Sequence, residues 1–95
     1  YTPARAAPGP DGVVRLVIAH DDPGVANWLD TQGFAEGNLT YRNLLSQNPA
    51  QFRTRLMRRD ALLSQLPPGT AMVTPEERAE EMLRRYRAVK LRYGI

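Results

Sequence analysis

The sequence predicts an α+β fold of three β-strands, a short helix and a long C-terminal helix. Three observations carry that reading. A β-branched run fills residues 13–20, apolar and polar residues alternate near 38–45 and 51–57, and residues 74–94 hold a complete set of helix signals.

Residues 1–12 contain Pro3, Pro8 and Pro10 and little that can be buried, so they read as a lead-in or linker. Asp11-Gly12 is a turn signal before the first strand. In that strand Val14, Leu16 and Ile18 share one face, and Val13, Val17 and Ala19 share the other with Arg15. Both faces are mainly apolar, which predicts a strand covered on both sides. Asp21-Asp22-Pro23-Gly24 stops it. An irregular loop follows to Gly33 and holds the only Trp, Trp28. A loop Trp is usually tucked onto a core with its ring N–H on a backbone carbonyl.

The second strand is expected over residues 38–45, with Leu39 and Tyr41 on one face and Thr40, Arg42 and Leu44 on the other. Residues 51–57 alternate Phe52, Thr54 and Leu56 against Arg53, Arg55 and Met57, the pattern of a half-buried third strand. Asp60 is placed to N-cap a helical turn over residues 60–66, which Pro67-Pro68-Gly69 ends. Thr74-Pro75-Glu76-Glu77 is a capping box with Pro at the first helical position. Ala79, Met82, Leu83, Tyr86, Val89 and Tyr93 form an apolar stripe over residues 75–93. Glu80–Arg84 and Glu81–Arg85 have the spacing of i,i+4 ion pairs, and Gly94 is the stop.

Composition narrows the chemistry. The 95 residues include no Cys and one His, which excludes disulfides, thiol catalysis and any His-rich metal site built from one chain. No metal or cofactor is predicted. No apolar run approaches the roughly 20 residues of a membrane span. The net charge of +3 is divided unevenly. Residues 1–50 hold three Arg against five acids, and residues 51–95 hold nine Arg and one Lys against five. The basic half can attract nucleic acid, but it carries no recognised nucleic-acid motif and reads first as a solvated helix face.

Three constellations could carry function. His20 beside Asp22 is eligible for acid/base work, although the Asp22-Pro23-Gly24 stretch is also ordinary turn chemistry. Asn27, Trp28 and Asp30 can form the lip of a ligand pocket, with Trp28 as a stacking wall, or a loop latched to the core. Arg42 in a covered strand needs a partner, for which Asp22, Asp30 or an anionic ligand would serve.

The run from Asp11-Gly12 through His20-x-Asp22-Pro23-Gly24-x-x-Asn27-Trp28-Leu29-Asp30-Thr31-x-Gly33 to Gly37 and Arg42 resembles the family known as domain of unknown function 1214 (DUF1214). The tail, with its basic strand, leucine-rich turn and Thr74-Pro75-Glu76-Glu77-Arg78 helix start, is similar too. The sequence departs at Asn43, where that family commonly has an aromatic residue. The resemblance implies the C-terminal portion of a jelly-roll-like β-sandwich in a bacterial protein, with the long helix outside the sheets. It implies no activity.

Together these features predict an accessory or ligand-binding module whose Asp22–Asp30 loop is a pocket rim or a structural latch. The alternatives are part of an enzyme using His20 and Asp22, and a nucleic-acid contact through the basic half. A strand apolar on both faces calls for a covering partner. That partner is the remainder of a larger parent chain or a second copy, alongside a possible small-molecule ligand.

Overall fold

The computed structural model describes residues 6–42, 47–48 and 51–94. Its elements are β1 (Val17–Ala19), β2 (Trp28–Asp30), a 3-10 turn (Arg59–Ala61), α1 (Leu62–Gln65) and α2 (Pro75–Tyr93). The class is therefore mixed α+β, with a small sheet and one long C-terminal helix.

β1 and β2 pair in parallel, with Val17 opposite Trp28, Ile18 opposite Leu29 and Ala19 opposite Asp30. The expected strand over 13–20 shortens to the residues that find a ladder partner. The Trp segment, expected to be irregular, supplies that partner. The covering expected on both faces of β1 is present on one only. Val17 and Ala19 face the core, while Ile18 is 53% exposed and Val14 and Leu16 are also exposed.

No strand forms over residues 38–42 or 51–57. Residues 43–45 of the second expected strand lie outside the described residues. Alternating apolarity describes a face and does not supply a ladder partner, and unpaired N–H and C=O groups turn to water instead. The two segments meet through side chains: the Tyr41 and Phe52 rings stack with centroids 5.5 Å apart.

The short helix is present, but Asp60 does not cap it. Asp60 lies within the 3-10 turn and pairs with Arg58 at 3.5 Å. α2 spans the predicted range with its capping box intact. The Glu77 N–H donates to Thr74 Oγ1 at 3.1 Å, and the Thr74 N–H donates to Glu77 Oε1 at 3.2 Å. Gly94 ends the helix at φ 67°, a conformation that glycine adopts without a Cβ clash.

The core is Val17, Val25, Trp28 and Leu62, with Ala19, Met57, Leu66 and Met82 against it. Val25 forms an isolated antiparallel bridge to Met72. Two hydrogen bonds flank it, from the Ala26 N–H to the Ala71 carbonyl at 2.9 Å and from the Val73 N–H to the Gly24 carbonyl at 2.8 Å. The residues that follow β1 are thus tied to the approach to α2. The radius of gyration is 14.7 Å, against roughly 12.4 Å for a fully compact chain of this length. Much apolar surface stays outside this small core.

Candidate functional site

Four of the candidate residues, Asp22, Asn27, Trp28 and Asp30, lie in the segment from Asp22 to Asp30, and the structure centres that segment on a residue the sequence reading passed over. Arg78, in the first turns of α2, is 5% exposed. Its Nε donates to Asp22 Oδ2 at 3.0 Å and its Nη2 to Asp22 Oδ1 at 3.3 Å. Nη1 donates to Glu81 Oε2 at 2.9 Å, and Nη2 also donates to the Val25 carbonyl. The guanidinium carbon lies 5.2 Å from the centre of the Trp28 ring, within cation–π range. A buried guanidinium needs this many acceptors, because its donors are expensive to leave unpaired.

Asp22 does two jobs. Its Oδ1 accepts the Gly24 N–H at 2.8 Å, closing the turn after β1, and both its oxygens face Arg78. The Asp22–Arg42 pairing expected from sequence is therefore not the one formed. Arg42 is exposed, lies outside any strand, and joins no ion pair among the described residues.

Asn27 is buried, and its amide is consumed by backbone. Oδ1 accepts the Ala7 N–H at 2.8 Å, and Nδ2 donates to the Ala7 carbonyl at 2.7 Å and to the Arg15 carbonyl at 3.1 Å. The Trp28 ring N–H donates to the Ala19 carbonyl at 3.0 Å. Asp30 Oδ1 accepts the Gln32 N–H at 2.8 Å and organises a tight turn. Gln32 and Gly33 are both at positive φ in that turn, which the Phe34 N–H closes onto the Thr31 carbonyl at 3.0 Å.

His20 and Asp22 are not brought together. His20 Nδ1 is hydrogen-bonded to Thr31 Oγ1 at 2.5 Å, and neighbouring Asp21 takes a two-point contact from Arg59, at 3.1 and 3.3 Å. That guanidinium holds the Asp21 carboxyl below the usual carboxylate range. Arg15 does the same for Asp11 through bonds of 3.1 and 2.8 Å, aided by the Val13 N–H, and the Asp11 pKa falls from 3.8 to about 2.

The cavities follow the same division. Beside Asn27 there is a void of about 20 Å³, room for a single water and far below a ligand pocket. A larger open groove, about 860 Å³, runs along α2 past Glu81, Arg85, Val89 and Tyr93. None of His20, Asp22, Asn27, Trp28, Asp30 or Arg42 lines it. Among the described residues no three His, Cys, Asp or Glu side chains gather as a metal site. No helix among the described residues is long and apolar enough to cross a membrane.

Arg78 had a detectable signal. A cation in the first turns of a helix opposes the helix dipole, and here it sits between Glu76, Glu77, Glu80 and Glu81. A base at such a position invites the question of what acceptor it serves.

No protein-family model, curated protein or solved structure matches the chain.

Proposed function

We propose that this chain is an accessory interaction module in which the segment from Asp22 to Asp30 is a structural latch. One observation carries the reading: the polar groups that Asp22, Asn27 and Trp28 would offer a ligand are spent within the protein. Both amide hydrogens of Asn27 and the ring N–H of Trp28 go to backbone carbonyls. The Asp22 carboxylate goes to Arg78 and Gly24. An enzyme using His20 and Asp22 draws no support from this geometry, because Thr31 holds His20 and Arg78 holds Asp22.

The resemblance to the domain of unknown function 1214 belongs to this proposal, with a jelly-roll-like β-sandwich as the larger fold. The exposed face of Val14, Leu16 and Ile18 is what a further sheet or a partner would cover in such an assembly.

Trp28→Ala and Arg42→Ala, compared by thermal melting with and without citrate, inorganic phosphate and adenosine monophosphate, test the latch. The latch predicts a large loss of melting temperature for Trp28→Ala, none for Arg42→Ala, and no ligand-induced rise in either variant or the parent. A compound that stabilises the parent, and loses that effect in a well-folded Arg42→Ala variant, would sink the reading in favour of a pocket.

A further inference from the structure

The outer face of α2 carries a pattern of charges that no ion pair among the described residues uses. Glu76, Glu80, Leu83, Arg87 and Lys90 follow one another at spacings of four, three, four and three. At about 100° per residue they fall within an arc of roughly 80°, one narrow seam of charges centred on a leucine. All five are exposed. The face that docks on the core, with Arg78 and Met82, lies on another side of the helix. Among the described residues none of the four charges on the seam has an ion-pair partner. The expected Glu80–Arg84 pair is not formed either, whereas Arg85 does pair with Glu81.

The order along the seam is acid, acid, leucine, base, base. The Glu80–Arg87 interval and the Glu76–Lys90 interval are both centred on Leu83 to within half a residue. A sequence of charges that reverses sign about its midpoint is self-complementary under a two-fold axis. We propose that α2 pairs with α2 of a second copy of this chain, antiparallel, with Leu83 of each at the dyad. Glu80 then faces Arg87 of the second copy, and Glu76 faces Lys90. The exposed Tyr86 ring and the exposed Ala79 methyl border one flank of the seam, about one turn to either end of Leu83 along the helix. The parallel arrangement is excluded by the same charges, since it sets acid on acid and base on base. This inference rests on reading the chain as an interaction module and names its partner. The seam is small and ionic, so the pairing is reversible and salt-sensitive.

Sedimentation equilibrium of the full chain at low salt, over a wide concentration range, is the test. The expected mass rises from 10.7 kDa to twice that value. Raising salt to about 0.5 M, where charges are screened within a few ångströms, weakens association at least about tenfold. Glu80→Arg alone, which sets arginine against Arg87, weakens it by a similar factor, and adding Arg87→Glu restores it. Because the chain has no cysteine, Leu83→Cys can be joined to itself by a short thiol cross-linker. Leu91→Cys cannot, as the paired positions stand about 24 Å apart along the helices. Circular dichroism shows that each variant keeps its helix. A chain that stays monomeric at every concentration overturns the proposal, as does a dimer indifferent to Glu80→Arg or not rescued by the double exchange. Either result leaves the latch reading to its own melting test.

Discussion

Arg78 sits with its guanidinium carbon 5.2 Å from the centre of the Trp28 ring and forms a two-point ion pair with Asp22. This one side chain from α2 therefore fixes both ends of the segment that follows β1. Removing it strands a carboxylate and a buried carbonyl at once. Arg78→Ala is expected to destabilise the chain by about 2–4 kcal/mol, with part of the Asp22 charge screened by its exposed edge. Arg78→Lys recovers little, because an ammonium cannot reproduce the fork. Urea denaturation of the three proteins checks this, with Arg78→Ala within about 0.5 kcal/mol of the parent as the outcome that refutes it.

Asn27 tests whether the region before β1 belongs to the folded unit. Its amide exchanges two hydrogen bonds with Ala7, as a neighbouring strand would. Asn27→Ala removes the acceptor of the Ala7 N–H and both donors to the Ala7 and Arg15 carbonyls. It should cost about 1–3 kcal/mol and release the Ala7 amide to rapid hydrogen exchange. An unchanged exchange rate at Ala7 counts against the clip.

Asp11 gives a pH prediction. Its folded pKa is lowered to about 2 by Arg15, so its contribution is present above the ordinary value of 3.8 and is lost as pH falls through about 2. Asp21, held down by Arg59, acts in the same direction. Carboxyl-carbon NMR titration should find Asp11 near 2 in the parent and clearly higher in Arg15→Gln, with the Val13 N–H still lowering it. Titration of Asp11 near its ordinary value in the parent contradicts the assignment.

Gly69 is required by its surroundings. It sits at φ 83°, and a Cβ there would lie 2.7 Å from Pro10 Cγ. Gly69→Ala should cost about 1–3 kcal/mol, while Gly37→Ala, with open space around it, should be neutral or slightly stabilising. Equal melting temperatures for the two variants would show that the Pro10 contact does not constrain the turn.

α2 was legible because its signals are local: Thr74 and Glu77 cap it, and the dipole orders its charges. Val17 and Ala19 were legible as strand for the same reason. The failures at 38–42 and 51–57 share a cause. Residues such as Leu39 and Phe52 announce an apolar face, yet a strand exists only when a partner backbone lies alongside. β2 was missed for the converse reason: Trp28-Leu29-Asp30 has no alternation long enough to count, and Val17 supplies the ladder. Among the candidate residues, Asn27 and Trp28 were found by type, but their bonds to Ala7 and Ala19 depend on the tertiary arrangement. Arg78 was hidden among helix charges that resemble a solvated surface.

The Asp22–Arg78 contact also has a consequence for the order of folding. It joins residues 56 apart in sequence, whereas α2 is built from contacts three and four residues apart. Closing so long a stretch costs chain entropy before any contact rewards it. The capped helix is therefore expected to form early, and the Trp28 segment to settle only once Arg78 arrives. Cap variants such as Thr74→Ala would slow folding, and Asp22→Asn would mainly hasten unfolding. In the proposed latch this contact is expected to close last and open first, which would make it a kinetic keeper of the assembled state.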